Sequence, residues 1–212
     1  MSRSKVLFWN VDTQVDFVEP HGKLYVQGAE KLKSIWAKIT NFAAEHKIRV
    51  INTCDFHHIN SHEISSAPDF KSSFPLHCIA GTSGASFIEE TRPASPVTID
   101  WDMQLAIFAE FDDPVKYRNI IIRKDDFDVF AGNPHTEKIL SIASPDKVFV
   151  YGVTTNVCVD KAVKGLVTRG YNVYVIHDAI KELPGLPLPF DEWNTLGVKM
   201  IPFNQIDENI NK

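Results

Sequence analysis

Residues 147–170, KVFVYGVTTNVCVDKAVKGLVTRG, constrain the fold more than any other stretch. Val148, Phe149, Val150, Tyr151 and Val153 make a nearly unbroken apolar run, which suits a strand buried on both faces of a parallel sheet. From Val157 onward the period changes. Val159, Ala162, Val163, Leu166 and Val167 recur at i, i+3, i+4, i+7 and i+8, the apolar stripe of a helix. Between the two periods, Thr154-Thr155-Asn156 are short polar residues that satisfy free amides where a helix begins. Cys158 is thereby predicted in the first turn of a helix, at the carboxyl end of a parallel strand. Amides there favour a thiolate and face an oxyanion formed on an attacked carbonyl. The position equally suits a small residue packing helix on sheet, and this stretch alone does not separate the two.

The alternation recurs along the chain. Strands are expected at 5–11, 48–54, 119–124, 147–153, 172–178 and 198–203. Helices are expected at 28–46, at 134–142 (opened by Pro134) and at 190–196, with a weak helical pattern at Met103–Phe108. Such alternation predicts an α/β three-layer sandwich, with a parallel sheet of six strands and helices on both faces, in one domain over 1–212. Residues 59–96, rich in Ser, Pro, His and Gly, show no period. They are too long for an idle connection and read as functional.

Bulk properties remove several function classes. A net charge of −5 with no basic run argues against a nucleic-acid partner, and no stretch reaches the ~18 apolar residues of a membrane span. MSRSKVLFWNVD passes directly into a strand without the apolar region of a signal peptide. The three cysteines cannot all pair within one chain, so free thiols in a reducing cytoplasm are expected.

In parallel α/β sheets, ligands bind beyond the carboxyl ends of the strands. Here those ends carry Asp12, Asp55, Lys124 and Cys158, and this clustering decides for a reactive Cys158. Asp12 is the candidate general base, with Lys124 to hold it ionised and to stabilise the thiolate. Asp55-x-His57, with His58, His62 and His77 nearby, reads as a site for zinc, iron or manganese. Asp55, His57 and His77 are the preferred ligands. His62 is a fourth candidate, because His58 and His62 are spaced to share one helical turn. Phe17, Phe74 and Phe127 are aromatic residues of rim loops suited to sandwiching a flat ring. Residues 81–85, GTSGA, follow no strand and lack the Lys-Ser/Thr ending of a phosphate loop. Neither Cys54 nor Cys78 is expected to be the nucleophile.

Taken together, Asp12-Thr-Gln-Val-Asp16-Phe17, Asp55-Phe-His57, Phe74-Pro-Leu-His77-Cys-Ile-Ala-Gly81-Thr-Ser-Gly84-Ala, Lys124 and Gly152-Val-Thr-Thr-Asn-Val-Cys158-Val resemble the isochorismatase-like cysteine hydrolases, and within them the nicotinamidase/pyrazinamidase branch. The resemblance covers most of the chain. It implies an Asp12–Lys124–Cys158 triad, in which Cys158 attacks the amide of nicotinamide to give a thioester and ammonia. It implies an oxyanion hole from the amides of Thr154 and Cys158, with a cis peptide between Val153 and Thr154. It also implies a divalent metal on Asp55, His57 and His77 that binds the pyridine nitrogen. Family members are often homo-oligomers. Two departures bear on the substrate: Phe74 stands where the branch usually has Trp, and Val157 precedes the nucleophile where Tyr or His is common. Other small amides, N-carbamoyl compounds among them, are the alternative substrates. A metal-water hydrolase with a structural Cys158 is the alternative mechanism.

Overall fold

The computed structural model describes residues 5–103 and 116–211. Its strands are β1 (Val6–Val11), β2 (Arg49–Asp55), β3 (Val97–Ile99), β4 (Asn119–Lys124), β5 (Lys147–Val153), β6 (Asn172–Lys181) and β7 (Lys199–Ile201). Among the described residues they form one seven-stranded sheet in the order β3-β4-β2-β1-β5-β6-β7, with every pairing parallel. The sheet thus has one strand more than the six expected. The addition is β3, which pairs β4 from Val97↔Ile120 to Ile99↔Ile122. A three-residue edge strand behind Pro96 is too short for an alternating period to be legible. The helix expected at Met103–Phe108 lies outside the described residues from position 104 onward.

The helices are α1 (Val15–Val18), α2 (Lys33–Glu45), α3 (Val129–Gly132), α4 (Thr136–Ala143), α5 (Cys158–Thr168), α6 (Phe190–Thr195) and α7 (Ile206–Asn211). Successive strand residues face opposite sides, so β1 divides its apolar payload. Leu7, Trp9 and Val11 join Ile139 and Leu140 of α4 and Val159, Val163 and Leu166 of α5 on one face. Phe8 joins Trp36, Ile39 and Ala43 of α2 and Ile206 and Ile210 of α7 on the other. This is the predicted three-layer sandwich. Pro134 precedes α4 rather than opening it. The Asn133 side chain donates to the carbonyls of Ile99 (3.0 Å) and Arg123 (2.8 Å) and accepts from the His135 amide (2.9 Å), which holds Pro134 in the turn. No helix among the described residues is long and apolar enough to cross a membrane.

The strand order reverses between β1 and β5. From β1 the chain moves outward through β2 to β4 and β3, and from β5 it moves the other way. That switch point opens a crevice at the carboxyl edge. The strands meet closely there because Gly152 has φ +122, and a Cβ on it would lie 2.0 Å from the carbonyl oxygen of Val11. Only glycine fits, and this close approach sets β5, and the turn leading to Cys158, against Asp12.

Candidate active site and metal centre

Asp12 follows β1, Asp55 and Lys124 end the adjacent strands β2 and β4 in register with one another, and Cys158 opens α5. All four side chains are buried. Lys124 is their common partner. Its Nζ lies 3.0 Å from Asp12 Oδ2 and 3.9 Å from Cys158 Sγ, and it donates to Asp55 Oδ1. The second oxygen of Asp12 is fixed by the Thr53 hydroxyl, which donates to it at 2.6 Å. Sequence reasoning placed Asp12, Lys124 and Cys158 on one rim, and the structure brings them together.

Burial and charge oppose one another in this group. Burial pushes the Asp12 carboxyl up, Lys124 draws it back and Asp55 lifts it again, leaving it at about 6. Asp55 is held well below the usual carboxylate range: burial favours its neutral form, but Lys124 and His57 outweigh it. Lys124 stays protonated because Asp12 and Asp55 overcome the penalty of burying its charge. The Cys158 thiol is raised well above its ordinary value, because burial outweighs the pull of Lys124. That direction leaves a proton for Asp12 to remove, the role expected of it as general base. At 7% exposure, between two carboxylates, the sulfur keeps its proton until a base removes it.

Beside the triad, Asp55, His57, Glu63 and His77 each offer one donor atom, and these atoms all lie within 4.8 Å of one another. The four side chains are buried. His57 Nε2 is 3.0 Å from Glu63 Oε1 and 3.8 Å from Asp55 Oδ2, yet among the described residues it makes no well-aligned hydrogen bond. His77 Nε2 is 3.6 Å from Asp55 Oδ2 and 3.7 Å from Glu63 Oε1. Two imidazole nitrogens and two carboxylates converging on one point suit a zinc-type cation. The electrostatics agree. Burial disfavours a charged His57, but Asp55 and Glu63 overcome this and hold it at about 10, so positive charge is favoured at this point.

The group contains the three preferred ligands but not His62. That side chain is 64% exposed and faces Asp126 at 3.2 Å. The helical turn expected to present His58 and His62 together is absent. The segment is instead a tight turn in which the His58 amide donates to Ser61 Oγ (2.8 Å). Glu63, next in sequence, takes the fourth place. Replacing Glu63 by Ala is therefore expected to weaken zinc binding by at least about 100-fold, above the usual cost of losing an outer-shell partner, while His62→Ala leaves it within about twofold. Competition against a chromophoric chelator checks both.

Outer contacts set these side chains. Gln14 is buried, and its amide donates to the carbonyl of Asp55 (2.8 Å) and accepts from the Asp55 amide (2.8 Å), which fixes the end of β2. Asp16 accepts from the Cys78 amide (2.7 Å) and holds the loop carrying His77. His77 Nδ1 meets the carbonyl of Pro75 at 2.7 Å, so its Nε2 turns to the cluster.

Cys158 of the triad and Asp55, Glu63 and His77 of the cluster line one small pocket. Its walls include the expected Phe17, Phe74, Phe127 and Val157, together with Leu24 and Leu183, which the sequence did not single out. Thr154 and Cys158 also line it, and the peptide between Val153 and Thr154 is cis. The amides of Val157 and Val159 donate to the Thr154 carbonyl (3.1 and 3.0 Å), which closes the turn into α5. The first amides of a helix have no partner within it, and Cys158 carries one of them. Cys54 and Cys78 are buried away from this pocket, and burial raises both thiols.

Comparison with known proteins gives a consistent result. A family model described as the Isochorismatase domain matches residues 6–186. A nicotinamidase/pyrazinamidase of Mycobacterium tuberculosis is 40% identical over 77 residues, a match that spans 36% of this chain and only 40% of that protein. Among solved structures, a pyrazinamidase of Pyrococcus horikoshii in complex with zinc superposes with a TM-score of 0.70 at 23% identity, covering 94% of this chain and 99% of that one. An N-carbamoylsarcosine amidase of Thermoplasma acidophilum does so with a TM-score of 0.71 at 19% identity, covering 93% and 96%. At these identities the structural likeness is one of fold.

Proposed function

Because the chain belongs to the isochorismatase-domain family, we propose that it is a cysteine amidohydrolase that converts nicotinamide to nicotinate and ammonia. One observation carries this reading: Cys158, which Lys124 bridges to Asp12, lines one small, largely apolar pocket together with Asp55, Glu63 and His77 of the metal-type cluster. Phe17, Phe74 and Phe127 line the same pocket as Cys158 and offer apolar walls to a flat heteroaromatic ring whose amide would face the sulfur.

Asp12 takes the Sγ proton as the sulfur adds to the amide carbonyl. The amides of Thr154 and Cys158 receive the developing oxyanion. Asp12 returns the proton to the nitrogen, the C–N bond breaks, and ammonia leaves a thioester on Cys158. Asp12 then draws a proton from water, which attacks the thioester, frees the carboxylate product and restores the thiol. Lys124 holds Asp12 in place and balances the charge that moves between carboxylate and sulfur. Asp55, His57, Glu63 and His77 would hold a divalent metal, which would supply polarisation and orientation of the ring.

Val157 and Phe74 support a second substrate class, the N-carbamoyl and other linear amides, because an aliphatic neighbour and a smaller aromatic wall make fewer ring-specific contacts. Ammonia release by the zinc-loaded protein from nicotinamide, pyrazinamide and N-carbamoylsarcosine decides between them. Turnover of the two ring amides is expected. Turnover of the carbamoyl compound alone would move the assignment to linear amides and leave the triad in place.

The pH profile follows from Asp12. It acts only when ionised, and its carboxyl sits at about 6. The expected kcat/KM therefore falls as pH drops through about 6. An acid limb near the ordinary carboxylate value would place the base elsewhere.

A further inference from the structure

The three residues after Lys124 grip the three residues that end in Glu63, in register. Ser61 Oγ donates to Asp125 Oδ1 at 2.5 Å, His62 Nε2 meets Asp126 Oδ2 at 3.2 Å, and Glu63 Oε2 accepts from the Phe127 amide at 2.8 Å. Asp125 does more than clip this loop. The oxygen that receives Ser61 also lies 2.8 Å from His57 Nδ1, on the ring edge opposite the converging donors. Ser61 and His57 are both buried, and Asp125, 31% exposed, reaches in from the rim to partner both with one carboxylate oxygen.

We propose that Asp125 is a positioning residue that sets metal affinity. It holds His57 with Nδ1–H donated outward and Nε2 turned to Asp55, Glu63 and His77, and through Ser61 it holds the turn that delivers Glu63 to the same point. This rests on the metal-site reading above. A histidine ligand needs its free ring nitrogen aimed and made basic, and a carboxylate on the other nitrogen does both. The placement has a further consequence. Asp125 is the immediate neighbour of Lys124, so one short segment positions both the cation of the triad and the loop of the metal cluster. His62 acquires a role here too, as a surface latch on Asp126 rather than a ligand.

The test is zinc affinity by chelator competition, with the visible spectrum of the cobalt-substituted protein as a second readout of ligand geometry. Wild type is expected to bind one zinc tightly. Asp125→Ala is expected to weaken it about 10–100-fold and to alter the cobalt bands, while Asp125→Asn, which keeps an acceptor for His57 but not the charge, falls between the two, weaker than wild type by more than about threefold. A merely structural clip predicts something different: a lower melting temperature for metal-free Asp125→Ala with zinc affinity and cobalt bands unchanged, and that result overturns the proposal. If Asp125→Ala does not fold, Asp125→Asn decides, because the neutral acceptor still weakens zinc by more than about threefold if Asp125 acts through His57, and unchanged affinity rejects it. Failure of wild type to bind zinc at all would remove the metal-site reading itself, and the proposal with it.

Discussion

Cys158→Ala is expected to lose amide hydrolysis by on the order of 10⁴–10⁶-fold while retaining its fold and its zinc. The side chain is small and, among the described residues, its hydrogen-bond contact is with Lys124, 3.9 Å away, so its removal leaves a minor gap and no stranded charge. Lys124 keeps Asp12 and Asp55 as partners. The metal cluster uses none of its atoms. The variant therefore separates two chemistries that the pocket could house. If metal-bound water were the nucleophile, its activity would stay within a few-fold of wild type and Cys158 would be a packing residue. If sulfur is the nucleophile, no other group replaces it, since Cys54 and Cys78 do not line this pocket. Ammonia release measured beside the zinc content of the same sample reads both.

Lys124→Ala is expected to damage activity and stability together. Two buried carboxylates face this ammonium, and removing one partner of a buried charge group typically costs about 3–5 kcal/mol, because the remaining charge is stranded. The stability deficit has a direction in pH. Without the cation Asp12 is pushed further up, and a carboxylate whose folded-state pKa is raised supports the fold at low pH and opposes it as pH rises through that value. The variant should therefore lie closer to wild type in acid than at neutral pH. Activity is expected to fall at least about 10³-fold, because Asp12 is then protonated when it should act as a base. Chemical denaturation at two pH values, with kcat/KM on the folded fraction, checks both. Near-normal turnover would remove Lys124 from the mechanism.

The fold and the grouping of Asp12, Lys124 and Cys158 were legible because both follow from local pattern. Apolar runs such as 148–153 and the helical stripe from Val159 to Val167 mark buried strands and their covering helices, and parallel strands place their carboxyl ends on one edge. Asp12, Lys124 and Cys158 had only to be read at those ends. What escaped depends on contacts distant in sequence. β3 is an edge strand of three residues, defined by its pairing with β4 rather than by any period. Glu63 is a lone acid in a stretch without periodicity. It reaches the cluster because the Phe127 amide holds its carboxylate (2.8 Å) and its own carbonyl accepts from the Phe74 amide (2.7 Å). His62 attracted a ligand role through a spacing argument that applies only on a helix, and residues 58–62 are a turn. The sequence also carries only one side of the balance on the Cys158 thiol. The helix terminus is a local feature that favours the thiolate, whereas the burial and neighbouring carboxylates that oppose it are assembled only by the fold.

The central claim is that a covalent bond to Cys158 carries the reaction. Its most direct measurement is rapid acid quench of the zinc-loaded protein during turnover of nicotinamide, followed by intact-mass and peptide analysis. The account predicts a transient species heavier by one nicotinoyl group, located on the peptide containing Cys158 and absent from Cys158→Ala. Continued turnover with no adduct at any quench time, together with an active Cys158→Ala, would contradict it and assign the attack to water.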